Sequence, residues 1–357
     1  MKFYLTSLLL TSYASKVLSQ SKSSEDLLYP VNPEWTSQYD LSNVPNKPLR
    51  LSGSGLCKNA TCDASDCDRC YESCGNCPRK EDIYGCEAGE WALTFDDGPS
   101  PYTVELLDIL AAANVKVTFL MVGSNVVKYP EIVKRAFDEG HQISQHTWSH
   151  PHLMSISDEQ IVAELRATED AIFNITGART AFVRPPYGEA DDRVKGVFKA
   201  MGYYNLLWNM DTLDWDIVAK NQDAGKIIDS FENALTKGTG LNPFNDPGYI
   251  SLQHDLYVET VKRVPKIEEI LAQHNFHFVL AHDCINVAPY QNTPITNSIP
   301  SITPINPEID TPTSEPNEVS VAQGSIPIEV SSDAVSGSTI YLSFSLAATA
   351  ISIFSLQ

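Results

Sequence analysis

Cations are scarce in this chain. Its 357 residues carry 25 lysines and arginines against 45 aspartates and glutamates, a formal net charge of −20. That balance argues against a nucleic-acid partner, which needs a basic surface. At one end the shortage is complete. From Ile285 onward there is no lysine or arginine, only Glu308, Asp310, Glu315, Glu318, Glu329 and Asp333. Long apolar runs are also missing. The stretches at residues 3–10 and 340–354 fall short of the roughly 18 apolar residues of a membrane-spanning helix. Cysteine is absent between Cys86 and Cys284, so no bridge forms within that stretch. Hydrophobic periodicity is lacking at 20–56 and again at 285–339, which leaves both outside any regular α/β core.

What is present at the ends has its own pattern. Lys2, the apolar core at 3–10 and Val17-Leu18-Ser19 read as a signal peptide over residues 1–19. Two glycosylation sequons, at Asn59 and Asn174, agree with secretion. In a secreted chain the eight cysteines read as disulfides. Seven lie within residues 57–86, so one of them is expected to join Cys284. Cys86, just before the first strand-like run, is the expected partner, because Cys284 follows the last one. The other six are left to pair within 57–77. Residues 20–85 read as an irregular, cysteine-rich arm. Residues 286–339, rich in Pro, Ser and Thr, read as a disordered stalk. Small residues then precede the apolar tail at 340–357, the layout of a glycolipid-anchor signal with Ser332 as the attachment site.

Between them lies a repeating pattern. Strand-like runs at 91–95, 117–122, 141–144, 181–183, 203–208, 249–252 and 276–280 alternate with helix-like stretches at 102–113, 126–139, 158–173, 191–201, 224–236 and 260–274. Ser157 with Gln160 resembles a capping box, and Gly140, Gly177 and Gly202 fall at or just past helix ends. Alternation of this kind implies parallel βαβ units. The length suits a distorted, incomplete barrel better than a full eight-fold one; an open doubly wound sheet is the alternative.

Each polar cluster follows a strand-like run, on the rim where such barrels keep their active sites. Asp96-Asp97 closes the first run, and a bend there lets both carboxylates reach one place. His146-Thr147-Trp148-Ser149-His150 follows the third, its histidines spaced to share one face of a helical turn. With Asp97 they make two imidazoles and one carboxylate, a catalytic zinc arrangement with an open position. Arg184-Pro185-Pro186-Tyr187-Gly188, Asp211-x2-Asp214-Trp215 and Leu252-Gln253-His254-Asp255 follow the fourth, fifth and sixth runs.

The clusters TFDDGP, HTWSH, RPPYG, DTLDW and LQH, in this order over about residues 86–285, resemble the five motifs of the NodB-homology polysaccharide deacetylases, carbohydrate esterase family four. The resemblance implies an incomplete (β/α) barrel at 86–285. It implies zinc, with cobalt or another divalent ion as the alternative, on Asp97, His146 and His150. Asp96 would be the general base, ionised beside Arg184. His254 would be the general acid, kept charged by Asp214. The backbone N–H of Tyr187 would steady the oxyanion. Trp215 and Leu252 would line the acetyl pocket, and Trp148 would offer a stacking face for sugar. The signal peptide, stalk and anchor signal resemble those of fungal members that deacetylate chitin at the cell surface. A monomer that meets the membrane only through its lipid anchor is expected. Two alternatives stand beside this: an O-acetyl esterase acting on xylan, and a non-catalytic wall-binding protein.

Overall fold

Strand β1 (Glu90–Asp96) sets the frame. Its alternate residues Trp91, Leu93 and Phe95 join one apolar cluster, while Ala92 belongs to another. Successive side chains on a strand face opposite ways, so Thr94 and Asp96 share the face of Ala92. Burying residues such as Leu93 and Phe95 stabilises by about 1.5–3 kcal/mol each. The same split recurs on β7 (Tyr249–His254), where Ile250 lies in the cluster of Ala92, and Leu252 and His254 follow it on that face. A computed structural model describes this arrangement for residues 27–52, 78–239 and 241–292. The expected signal peptide, Asn59, the six cysteines at 57–77, most of the expected stalk, Ser332 and the apolar tail lie outside the described residues.

The elements after β1 are α2 (Thr103–Ala113), β2 (Thr118–Met121), α3 (Gly123–Lys128), α4 (Pro130–Asp138), β3 (Gln142–Gln145), α5 (Asp158–Thr176), β4 (Phe182–Val183), α6 (Asp192–Ala200), β5 (Tyr204–Asn205), β6 (Met210–Asp211), α7 (Asp214–Ala219) and α8 (Gly225–Lys237). Beyond β7 come α9 (Val258–Val261), α10 (Val264–Gln273) and β8 (His277–Phe278); a single turn, α1 (Pro33–Thr36), precedes β1. Every strand pair is parallel, in the order β5-β4-β3-β2-β1-β7-β6. The outermost members, β5 and β6, are separated only by residues 206–209. The five steps from Asn205 to Met210 reach at most about 18 Å, less than the roughly 29 Å across six strand spacings of a flat sheet, so the sheet must curl back on itself. The result is an incomplete parallel barrel rather than an open doubly wound sheet.

Two prolines redraw the expected helices. The stretch at 126–139 breaks at Tyr129, because the residue before Pro130 is pushed out of helical geometry. The stretch at 260–274 begins earlier, as α9, and restarts as α10 with Pro265 in its first turn, where no N–H is missed. The expected run at 203–208 is strand only at Tyr204–Asn205, and β6 and α7 were not expected. Helix α5 starts where Ser157 accepts the N–H of Gln160 at 3.3 Å. It stops at Gly177, whose φ of 72° suits a residue without a Cβ. The reciprocal half of the capping box does not form, since the Gln160 amide donates to the Tyr29 carbonyl at 2.6 Å. Asn174 is exposed in the last turn of α5.

The arm is more ordered than its sequence suggested. Leu28, Trp35, Tyr39, Leu41 and Val44 pack against the cluster that α5 and α6 bury. At the other end of the described chain, residues after β8 form a strap. The Ala281 N–H donates to the Thr118 hydroxyl at 2.9 Å, and Ala181 and Gln291 donate to Pro289 and Arg179 carbonyls. A disulfide joins Cys86 to Cys284, with Cα atoms 4.3 Å apart.

Candidate active site

All strands run the same way, so their C-terminal ends form one rim. A cavity of about 460 Å³ opens there, bounded by Asp96, Asp97, His146, His150, Asp211 and His254, with Pro185, Tyr187, Gly188, Trp208, Trp215 and Leu252 completing its wall. Asp96 ends β1 on the inward face. Asp97 would point outward on a continuing strand, but its φ of 73° turns the chain and brings it to the same place. Such a conformation costs a non-glycine residue about 1–3 kcal/mol. The Asn125 side chain fastens the turn by donating to the Asp97 carbonyl at 2.8 Å.

Asp97 Oδ1 lies 3.4 Å from His146 Nε2 and 3.3 Å from His150 Nε2. These three ligand atoms fall within 4.8 Å of one another. Asp97 Oδ1 is buried and has no hydrogen-bond partner. A buried carboxylate oxygen of this kind calls for a cation. His146 Nδ1 contacts the Arg184 carbonyl at 2.7 Å, which assigns the proton to Nδ1 and leaves the Nε2 lone pair facing Asp97. Burial lowers the pKa of His146 to about 3 and also lowers that of His150, so both rings are neutral. Burial works to raise Asp97, but at the low pH where it titrates the charges of the facing His150, His146 and His254 hold it below the usual carboxylate range. Two neutral imidazoles and one carboxylate fit a zinc-like divalent ion. The histidines do not share a helical turn as expected. They sit on a loop in which Thr147 and His150 have φ of 66° and 57°.

Arg184 is fully buried. Its guanidinium donates to Asp96 Oδ1 at 2.5 Å, the Thr94 hydroxyl at 2.8 Å, and the carbonyls of Leu206 and Leu207 at 3.1 and 2.8 Å. Thr94 in turn donates to the Ser251 carbonyl at 2.6 Å. Burial pushes Asp96 up to about 6 against the pull of Arg184. It therefore stays ionised near neutrality, though less firmly than an adjacent arginine alone suggests. Its other oxygen, Oδ2, lies 3.8 Å from His146 Nε2.

Across the cavity, His254 Nδ1 donates to Asp214 Oδ1 at 2.7 Å, and its Nε2 lies 4.0 Å from Asp97 Oδ2. Asp214 also accepts the N–H groups of His254 and Trp215 and the hydroxyl of Thr260. Burial alone would discharge His254, but the Asp214 carboxylate raises its pKa to about 10. The imidazole is thus charged at neutral pH.

Tyr187 has a φ of 57°, and its ring stacks on His152 at 4.0 Å and meets His150 edge-on at 4.5 Å. Trp215 and Leu252 line the cavity, whereas Trp148 does not. Trp148 packs against the main apolar cluster and lies edge-on to Tyr29 at 4.8 Å. Sequence reasoning passed over Thr94, Trp208, Thr260 and Glu164. Thr94 carried a usable signal, a polar residue two before Asp96 on the inward face. Glu164 carried none, because it sits within an ordinary amphipathic helix.

The family profile described as polysaccharide deacetylase matches residues 86–206. The chain is 39% identical over 239 residues to chitin deacetylase 1 of Cryptococcus neoformans var. grubii, covering 64% of this chain and 49% of that protein. It is 36% identical over 213 residues to chitin deacetylase 2 of Saccharomyces cerevisiae, covering 59% of this chain and 64% of that protein. The matches thus span less than two thirds of either relative. Among solved structures, the chitin deacetylase from the fungal pathogen Colletotrichum lindemuthianum is 30% identical with a TM-score of 0.53, covering 58% of this chain and 92% of that one. A peptidoglycan N-acetylglucosamine deacetylase in complex with an N-oxidanyl-benzamide is 32% identical with a TM-score of 0.51, covering 58% and 94%. The profile match at 86–206 lies within the barrel that carries the motifs, and the chain belongs to the polysaccharide deacetylases of the NodB-homology type, carbohydrate esterase family four.

Proposed function

We propose that the chain is a metal-dependent hydrolase that removes N-acetyl groups from the N-acetylglucosamine units of chitin, giving chitosan and acetate. The observation that carries this reading is a pair of oppositely poised proton carriers beside one metal-capable set. Asp96 lies against the His146 side, and His254 lies against the Asp97 side. A divalent ion on Asp97, His146 and His150 would polarise the amide carbonyl and acidify a water.

The chain's own residues supply the rest. Arg184 engages Asp96 Oδ1 and leaves Oδ2 to take a proton from the attacking water. Asp214 engages His254 Nδ1, so the proton delivered to the leaving nitrogen comes from Nε2. Water adds to the acyl carbon, the C–N bond breaks, and acetate and a free amine leave. The Tyr187 backbone N–H assists at the acyl oxygen. Leu252 and Trp215 offer apolar surface for the acetyl methyl group. A charged imidazole suits an amine leaving group, which needs a proton more than an alkoxide does. That supports an amide over an acetyl ester. Intact Asp96, Asp97, His146, His150 and His254 support catalysis over mere wall binding.

The relatives named as chitin deacetylases support chitin as the polymer. Acetate release from chitin oligomers of graded length, with and without a chelator, tests the reading. Chelator-sensitive release is expected. No release, or release indifferent to the chelator, would overturn it, and faster release from acetylated xylan would move the substrate to an ester.

A further inference from the structure

Glu164 is a carboxylate with no exposed surface, carried by α5. It makes no ion pair with Lys, Arg or His among the described residues. Its partners are instead donors from two distant parts of the chain. Oε2 accepts the N–H of Trp148 at 3.0 Å and of Ser149 at 2.8 Å, and the Ser149 hydroxyl lies 3.1 Å from both oxygens. Oε1 accepts the N–H of Tyr29, in the N-terminal arm, at 2.8 Å.

Trp148 and Ser149 are the middle of the loop whose ends are His146 and His150. Two residues of that loop, Thr147 and His150, hold left-handed backbone, a conformation that persists only where the surroundings impose it. The start of α3 imposes part of it, with Gly123 and Ser124 donating to the carbonyls of Thr147 and Trp148. Glu164 imposes the rest from the opposite side, taking two consecutive N–H groups. The arm completes the arrangement. The Tyr29 carbonyl is held by Gln160, one turn before Glu164 on the same helix, and the Tyr29 ring stacks on Trp35 at 5.6 Å. That ring also meets Trp148 edge-on.

We infer that Glu164 is a positioning residue for the two imidazole ligands, and that the N-terminal arm, through Tyr29, is part of the same support. This rests on the metal-site reading above. An anion that gathers N–H groups from both segments orders the loop before the ion arrives, and that order is felt as metal affinity. Substituting such a supporting residue usually weakens metal binding by about 10–100-fold.

The test uses the full chain and reads zinc affinity by chelator competition beside a thermal melt. Glu164→Gln keeps the shape but removes the charge and turns an amide N–H toward one of the two sets of donors, those of the loop or that of Tyr29. It is expected to weaken zinc by about 10-fold or more while the protein stays folded. Trp35 makes no hydrogen bond or ring contact with the loop or with Glu164 among the described residues; Trp35→Ala removes the ring stacked on Tyr29 and is expected to weaken zinc by about 3-fold by loosening Tyr29. The double variant should bind zinc no worse than Glu164→Gln alone, because both act through one carboxylate. A merely structural role would lower the melting temperature and leave affinity alone. Unchanged affinity in Trp35→Ala, or losses that multiply in the double variant, would overturn the role of the arm. Unchanged affinity in Glu164→Gln would overturn that of Glu164. If Glu164→Gln does not fold, Ser149→Ala and Trp35→Ala carry the same comparison. A parent chain that binds no zinc at all would sink the metal-site reading itself, and this inference with it.

Discussion

At the scale of single residues, the two proposed proton carriers, Asp96 and His254, can be tested apart. Asp96→Asn keeps the shape and the Arg184 contact but cannot take a proton. It should retain zinc and lose turnover by roughly 100-fold or more, measured as initial acetate release. His146→Ala should lose both zinc and activity, read by metal content after dialysis. In the proposed mechanism the alkaline limb of the pH profile is assigned to His254, which must be charged to donate its proton. Its pKa is raised to about 10 by Asp214, so activity should persist well above neutrality and fall only as pH climbs through that value. Asp214→Asn removes the carboxylate, lowers the pKa of His254, and should move the alkaline limb to lower pH. That Asp96, Asp97, His146, His150 and His254 would gather at one rim could be read from sequence, because each follows a strand-like run. Their supports could not. Thr260 and Glu164 act through hydrogen bonds to residues far away in sequence, and nothing local marks them; only Thr94, two residues before Asp96 on the same face, could have been suspected.

At the scale of elements, alternation along β1 and β7 was enough to find the strands and to say which ends carry chemistry. What escaped was decided by partners far away in sequence. The segment at 204–211 pairs with β4 at its start and β7 at its end, so no local pattern could show it as two strands with a break. Arg184 fills that break by binding the carbonyls of Leu206 and Leu207. Arg184→Met should therefore destabilise the fold as well as stop the reaction. A loss of about 3–5 kcal/mol is expected for a buried pair broken on one side, measured by urea unfolding. Helix α10 offers a test of burial alone. Glu268 is buried there, and its pKa rises from 4.5 to about 7. Because the folded value lies above the unfolded one, the native chain holds this proton longer. The contribution of this group to stability is then fully present below about pH 4.5 and is lost as pH rises through about 7. Glu268→Gln should melt higher than the parent at pH 8, with the gap closing by pH 5.

At the scale of the whole molecule, the bridge between Cys86 and Cys284 ties the segment before β1 to the strap after β8. Breaking it frees a loop of 198 residues, and the chain-entropy cost to the folded state is about 5 kcal/mol. Cys284→Ser should melt markedly lower than the parent. The bond also has a consequence for force. Once the arm has peeled from α5 and α6 and the residues after Cys284 from Arg179 and Ala181, tension between the two ends enters at Cys86 and leaves at Cys284 without crossing β1 to β8, and the barrel and its rim then carry no load. Pulled singly under oxidising conditions, the molecule should lengthen only through residues outside 86–284. Reduction during the pull should release a further step of about 70 nm, the contour of the bypassed residues. A chain that yields this length before reduction would show that the load passes through the barrel after all.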